Sequence, residues 1–362
     1  MKQHSTGLLA VKEYLFNFNA MQAKKNILIT GASGTVGLAI LEQLSASLNK
    51  YNITVFDQKS KIAQKRLKKY ENSVKVVYGD ISKIEAIEYA CPEQDIVFHI
   101  AAVIPPVADD LPALAYRVNV SGTKNLIKGL ETHSPNAFVI YSSSISVYGD
   151  HTHEPDITIN SPLRPSVGDE YAKTKIEAEQ IIQNSQLNWS IFRLTAVMGY
   201  GNHKVSKLMF HMPLPTQIEI VTPIDCATAF VNTIDKLSVI EKKIFNLGGG
   251  EHCRISYEEF LNRSFSIMGL GKGDFPKKAF ADTNFHCGHY ADGDALEEIL
   301  KFRNDTIESY FKNLELTVPS LQKKLTQLFS GLIKKKLLKQ SEPYHAYHNN
   351  DQVLRERFFG KN

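Results

Sequence analysis

Tyr171 and Lys175 stand one helical turn apart in Tyr171-Ala-Lys-Thr-Lys175, so a helix would present a phenol and an ammonium on one face. Upstream, an apolar run ends in Tyr141-Ser-Ser-Ser144 and continues as Ile145-Ser-Val-Tyr-Gly149, which places three hydroxyls at the end of a strand. Phenol, ammonium and hydroxyl together form a proton-transfer set. The phenol gives or takes a proton, a cation favours its ionised form, and a serine hydrogen-bonds an oxygen that gains charge. A phenol ordinarily titrates near ~10, and bringing it to neutrality takes about 4 kcal/mol of differential stabilisation, which neighbouring cations are expected to supply. Alone, such a pair reads as ordinary helix surface. Its meaning depends on what precedes it.

What precedes it is a cradle for an anion. In Ile27-Leu-Ile-Thr-Gly-Ala-Ser-Gly-Thr-Val-Gly37 an apolar strand runs into three glycines spaced three apart and then into a helix. Gly31 allows the tight turn, Gly34 lets the backbone approach a pyrophosphate, and Gly37 lets the helix pack close to the sheet. Ser33, Thr35 and Val36 complete that turn. The predicted ligand is a dinucleotide. The second strand, Thr54-Val-Phe-Asp57, ends in a carboxylate that suits two ribose hydroxyls and repels a 2′-phosphate, so NAD is expected over NADP. Lys59, Lys61, Lys65 and Arg66 read as a solvated basic face, the alternative being cations that neutralise such a phosphate. An oxidised nicotinamide would bring a second positive charge to the phenol.

These groups need a frame to bring them together. Strands are predicted at 26–30, 53–56, 74–78, 95–100, 137–142, 190–194 and 243–247, and helices near 35–48, 60–70, 82–90, 110–132 and 168–185. The first four strands are rich in Val, Ile and Leu and end in Gly, Asp, Ser or Ala, which predicts a doubly wound parallel α/β sheet of Rossmann type. Ligands bind such sheets at the carboxyl ends of the strands, where Gly31, Asp57, Asp80, Ala101, Ser144 and Thr195 all fall. The predicted organisation is an extension over 1–23, a dinucleotide-binding domain over 24–195 rejoined by strand 243–247, a smaller substrate-binding lobe over 196–315, and a basic helix and tail over 316–362. Ile218–Val221, a helix starting near Asp225 and the capping box Ser256-Tyr-Glu-Glu259 fall in the lobe.

Seven motifs occur in order: Thr30-Gly-x-x-Gly-x-x-Gly37, Gly79-Asp80-Ile81, His99-Ile-Ala-Ala102, Asn119-Val-Ser-Gly-Thr123, Ser142-Ser-Ser144, Tyr171-x-x-x-Lys175 and Arg193-Leu-Thr. Over residues 24 to about 315 the chain resembles the extended short-chain dehydrogenase/reductases, the NAD-dependent epimerase/dehydratase family. The resemblance implies that Tyr171 is the catalytic acid/base and that Lys175 lowers its pKa while holding ribose hydroxyls. It implies Ser144 as the active-site hydroxyl when Val147-Tyr148-Gly149 is the anchor, with Ser143 the alternative. It implies Asn119 in a supporting helix, acting through a water or else packing only. Asp80 and Ile81 would flank the adenine, and Ala101, Ala102 and Thr195 would line the cofactor cleft. It also implies a homodimer through the helices near 110–132 and 168–185.

The substrate is less legible. The asparagine that sugar-nucleotide members usually carry after the sixth strand is replaced here by Arg193-Leu-Thr-Ala-Val-Met-Gly199, and the following insertion is short. Lys204, Lys207 and Arg254 are the local cations for a diphosphate. Met198, Leu208, Met209, Phe210 and Met212 read as core or as the lining of an apolar pocket. The expectation is an NAD-dependent oxidoreductase acting on a small hydroxyl or carbonyl compound. The alternative is a nucleotide-sugar epimerase or dehydratase, and the third reading is a non-catalytic dinucleotide sensor or scaffold.

Composition sets the outer limits. The 362 residues are 43% hydrophobic and 22% charged, with a net charge of +4, which argues against nucleic-acid binding. Four cysteines without paired spacing suit a reducing cytoplasm, and His286-Cys-Gly-His289 reads as a loop, so no metal is expected. Neither a secretory signal nor a membrane span is expected. From Pro319 to Leu338, Leu321, Leu325, Leu328, Phe329 and Leu332 share a stripe among lysines. The first expectation is a terminal helix packed on its own domain or a dimer mate; the alternative is a basic amphipathic helix on a membrane or partner. No function is read from the polar tail beyond Ser341.

Overall fold

The computed structural model describes residues 24–200 and 206–360, so the predicted extension over 1–23 and Lys204 lie outside the described residues. The strands in chain order are β1 Lys25–Thr30, β2 Tyr51–Asp57, β3 Lys75–Tyr78, β4 Ile96–His99, β5 Phe138–Ser144, β6 Asp156–Ile157, β7 Asn188–Leu194, β8 Ala196–Val197, β9 Gln217–Val221, β10 Lys243–Leu247, β11 Arg254–Ser256 and β12 His289–Tyr290. Seven of them form one parallel sheet in the order β10-β7-β5-β4-β1-β2-β3. The doubly wound α/β fold read from the sequence is therefore present. The order reverses between β1 and β4, and that switch point opens a crevice at the carboxyl ends of the strands.

Both faces of the sheet are covered. Ile27, Ile29, Val55, Phe98 and Ile140 pack on one side with Ile40, Leu41 and Phe230. On the other, Leu28, Val97, Val139 and Ile191 pack with Leu126, Leu130, Ala178 and Ile182. Alternate residues of one strand thus feed two cores, which is why these strands read as unbroken apolar runs. The helix predicted near 110–132 runs without a break from Pro112 to His133, with a π-helical turn Tyr116–Ser121 between Pro112–Ala115 and Gly122–His133, and a short separate helix Val107–Asp110 precedes it. Pro112 has no N–H to continue a preceding helix and instead begins a new one.

A second lobe is built on the small sheet β11-β9-β8. Its core holds Phe210, Ile218, Ile220, Phe260, Phe265, Tyr310 and Phe311, with Met198, Met209 and Met212 partly buried against them, so these methionines pack as core. The Tyr257–Met268 helix starts where expected, with the Ser256 hydroxyl accepting from the Glu259 N–H at 3.3 Å. The single helix expected over 319–338 is two, Ser320–Leu328 and Ser330–Leu338, and two further helices follow at Glu342–His348 and Gln352–Phe359.

Candidate active site

The glycine turn has the geometry its sequence requires. Gly31 has φ +71°, and a Cβ there would sit 2.7 Å from the Ala101 Cα; a Cβ on Gly37 would meet the Gly31 carbonyl oxygen at 2.4 Å. Only glycine fits at either position. The following helix, Thr35–Ser45, is capped by the backbone of Gly34 with no side-chain hydrogen bond and no acidic residue in its first turn. Its leading amides at Thr35 and Val36 are thus uncommitted to a side-chain cap, as an anion-binding terminus needs. Asp57, at the end of β2, accepts from the Ser33 N–H at 2.6 Å, and Arg66 donates to the Ser33 carbonyl at 2.8 Å. The carboxylate therefore sits at the edge of the cradle. Arg66 stays exposed with the neighbouring lysines while its guanidinium reaches that turn.

Ala101 and Ala102 follow β4 and are half-buried, Ala101 lying directly against Gly31. Asp80 lies beyond β3, where its carboxylate accepts from the Ser82 N–H at 2.9 Å, while Ile81 is buried under Gly122. Thr195 is at the end of β7 as expected, yet its hydroxyl donates to the Glu219 carbonyl at 2.6 Å. That bond joins the sheet to the second lobe and leaves Thr195 without a free hydroxyl hydrogen for a cofactor.

The proton-transfer set converges across β5 and the Glu170–Gln183 helix. The Ser144 hydroxyl hydrogen-bonds the Tyr171 phenol. Ser143, the alternative, points away and donates to the buried Glu179 carboxylate at 2.5 Å. Successive strand residues face opposite sides, so the pleat itself chooses Ser144. Lys175 is buried with its Nζ donating to the Ser142 carbonyl at 2.6 Å, lying 4.6 Å from the Tyr141 ring centroid and 5.6 Å from that of Tyr171.

Burial dominates the electrostatics of the site. Burial pushes the Tyr171 phenol well above its ordinary value, and Asp169 and Asp109 push the same way; the Ser144 hydrogen bond opposes them. Burial also pulls Lys175 down to about 7, against the upward influence of Glu179. Burial is the largest influence on both groups.

The support behind these residues is polar and closed. Asn119, in the π-helical turn, accepts from the Val103 N–H at 2.7 Å and donates to the Val103 carbonyl at 3.0 Å and to Thr174 at 2.9 Å. It ties the loop after β4 to the helix of Tyr171, and both of its amide N–H donors are used in doing so. Buried His99 lies 2.7 Å from the Thr30 hydroxyl through Nδ1 and 2.9 Å from that of Thr123 through Nε2. Thr123 donates its own proton to the Asn119 carbonyl, so His99 Nε2 must be the donor to Thr123. Burial lowers His99 to about 3, consistent with that neutral tautomer.

Several site residues carried no reading in the sequence. Asp169 caps the Tyr171 helix through the Ala172 N–H at 2.8 Å, and Asp109 accepts from the Glu170 and Tyr171 N–H groups. His286 Nδ1 lies 2.6 Å from Asp169. The remaining members of its motif go elsewhere: Cys287 contacts Met212, and His289 Nδ1 lies 3.1 Å from Asp156. A cavity of about 60 Å³ is lined by Asp109, Asp169, His286, Leu208, Arg357 and Phe358. The last two come from the tail beyond Ser341, from which the sequence offers no functional reading. The Nε of Arg357 is buried without a hydrogen-bond partner among the described residues. Asp169 has a sequence signal, the carboxylate just ahead of a helix; Arg357 has none, because nearly two hundred residues separate it from Tyr171. Among the described residues, both candidate diphosphate grips are engaged in ion pairs. Lys207 pairs with Asp110 at 2.7 Å and Glu342 at 3.1 Å, and Arg254 pairs with Glu219 at 3.2 Å.

With this geometry in hand, known proteins offer a comparison. The profile of the NAD dependent epimerase/dehydratase family matches residues 27–215. An Escherichia coli O157:H7 protein, N-acetyl-alpha-D-glucosaminyl-diphospho-ditrans,octacis-undecaprenol 4-epimerase, is 30% identical over 185 residues, 49% of this chain and 50% of that one. The human sterol-4-alpha-carboxylate 3-dehydrogenase, decarboxylating, is 30% identical over 184 residues, 51% of this chain and 46% of that one. The chain thus spans about half the length of the curated relatives it matches. Among solved structures, the dTDP-glucose 4,6-dehydratase DesIV of Streptomyces venezuelae, with NAD and TYD bound, aligns with TM-score 0.67 at 19% identity, over 80% of this chain and 96% of that one. That likeness is one of fold.

Proposed function

This chain belongs to the NAD dependent epimerase/dehydratase family, and from that premise we propose that it is an NAD-dependent oxidoreductase acting on a small hydroxyl or carbonyl substrate, with Tyr171 as acid/base. The observation that carries the reading is the meeting of Ser144, Tyr171 and Lys175 in the same domain as a strand–glycine–helix turn whose backbone packs too closely for a Cβ at Gly31 or Gly37. Gly31, Gly34 and the first turn of the Thr35–Ser45 helix would hold the pyrophosphate of NAD, and Asp57 its adenosine ribose, in preference to NADP. Bound there, NAD supplies the hydride acceptor or donor.

The chain's residues supply the rest. Tyr171 moves the proton of the substrate hydroxyl, and Ser144, already hydrogen-bonded to that phenol, steadies the oxygen as charge develops. Lys175 holds a ribose hydroxyl and contributes positive charge in its protonated form. Asn119 is a positioning residue that fixes the Tyr171 helix against the loop after β4. The engagement of Lys207 and Arg254 in ion pairs supports a substrate without a diphosphate, and the unsatisfied Arg357 Nε supports one that carries an acceptor oxygen.

The test follows reduced-nicotinamide absorbance with NAD and then NADP over a panel of secondary alcohols and nucleotide sugars. The expected result is net reduction with an alcohol and NAD, falling about 10²–10⁴-fold in Tyr171→Phe with NAD binding retained. Turnover near native in that variant refutes the assignment. Conversion of a nucleotide sugar to an isomer or dehydrated product without net reduction hands the case to an epimerase or dehydratase.

A further inference from the structure

The two helices after Pro319 pack the wrong way round for a soluble domain. The Ser320–Leu328 helix buries no residue, and the turn carrying Lys323 and Gln327 is the part that lies against Gly269. Its leucines face outward. Leu316, Leu321, Leu325, Leu328, Phe329 and Leu332 are each between 49% and 79% exposed. Within the Ser320–Leu328 helix, spacings of four and three keep Leu321, Leu325 and Leu328 on one stripe, and Leu332 is exposed on the helix that follows. The Ser330–Leu338 helix is anchored by buried Leu337, with Ile333 and Leu338 partly buried beside the second-lobe core, so the pair is held firmly enough to present that stripe. An apolar patch of this kind marks a surface that something covers.

Charge decides what covers it. Between Leu316 and Ser341 the chain has six lysines and no carboxylate. Lys334 is paired with Asp274 and Lys323 with Glu315, while Lys324, Lys335, Lys336 and Lys339 are exposed. From Leu332, positions three, four and seven further on are Lys335, Lys336 and Lys339, so on the second helix exposed Leu332 shares its side with three exposed lysines. A second copy of the chain laid on this face would oppose lysine to lysine. A bilayer with anionic headgroups satisfies both halves: leucines and Phe329 enter the interface while the lysine stems bury and their ammonium ends stay among the headgroups.

We propose that the face formed by residues 316–339 is a docking surface for anionic lipid membranes, on which the protein lies reversibly without spanning them. No helix among the described residues is long and apolar enough to cross a membrane, in keeping with a surface attachment. The inference stands apart from the catalytic reading, since none of these residues belongs to the Ser144, Tyr171 and Lys175 set or lines the cavity at Asp109, Asp169 and His286.

The test is flotation of the full chain with vesicles of phosphatidylcholine alone and of phosphatidylcholine mixed equally with phosphatidylserine. Binding to the mixed vesicles only, and its loss in high salt, is the expected result. Lys335→Gln/Lys336→Gln should weaken it about 25-fold, at about fivefold per lysine. Leu321→Asp/Leu328→Asp should abolish it, with the thermal midpoint and NAD binding unchanged because both leucines are exposed. Failure to float with either vesicle, or equal flotation of the lysine variant, overturns the proposal. A native dimer that Leu328→Asp converts to monomer, with no flotation, overturns it too and assigns the face to a second copy.

Discussion

Glu179→Gln is the perturbation that tests how this site is held. In the native chain Glu179 accepts from Arg193 Nε at 3.0 Å, from Arg193 Nη2 at 2.7 Å and from the Ser143 hydroxyl at 2.5 Å, with both charged side chains almost wholly inaccessible. Arg193 also donates to the Tyr148 hydroxyl at 2.8 Å, which donates in turn to Asn246. One buried carboxylate therefore locks the Tyr171 helix to β5 and β7. A glutamine keeps the shape but turns an amide N–H₂ toward a guanidinium and leaves the Arg193 charge unpaired. Breaking a buried pair in this way costs about 3–5 kcal/mol. At about 2 °C per kcal/mol for a chain of this size, the thermal midpoint should fall by roughly 6–10 °C. Replacing both partners, as Glu179→Met/Arg193→Met, should recover most of that loss, because no uncompensated charge remains. Activity gives a second readout. Glu179 is the group that raises Lys175 against burial, so its loss sends Lys175 below its present value of about 7. The ammonium form then disappears at lower pH, and the activity deficit should be greatest above neutrality and least in mild acid. A midpoint within about 2 °C of native, with an unmoved pH profile, would refute the reasoning.

Two further outcomes follow from the cradle. Gly37→Ala sets a methyl 2.4 Å from the Gly31 carbonyl and 2.8 Å from the Ala32 Cα, both backbone atoms that cannot step aside. It should cost about 1–3 kcal/mol of stability and most of the NAD affinity, measured by thermal unfolding and by titration with the dinucleotide. Asp57→Asn removes the carboxylate that would accept from the ribose while leaving Arg66 nearby at Ser33. The ratio of NAD to NADP affinities should fall by roughly 10–100-fold, and an unchanged ratio would show that Asp57 does not set the preference.

Much of this was legible in the chain because it depends on neighbours in sequence. The strand-to-glycine run, the i,i+4 pair of Tyr171 and Lys175, the hydroxyls ending β5 and the capping serine at 256 are local patterns, and local sterics and hydrogen bonds fix their form. Position at the carboxyl end of a parallel strand is nearly as secure, since the topology leaves ligands no other crevice. Tertiary structure decided what proximity in sequence does not encode. The pleat of β5 against the helix chose Ser144 for the phenol and gave Ser143 to Glu179. Burial, a property of the whole packed domain, raised Tyr171 and lowered Lys175. Arg357 reached the cavity only through docking of the final helices, and the leucine stripe faced outward because the packing at Gly269 took the other side of its helix. The sequence names the chemical groups; long-range packing decides which of them are dry, which are paired and which face one another.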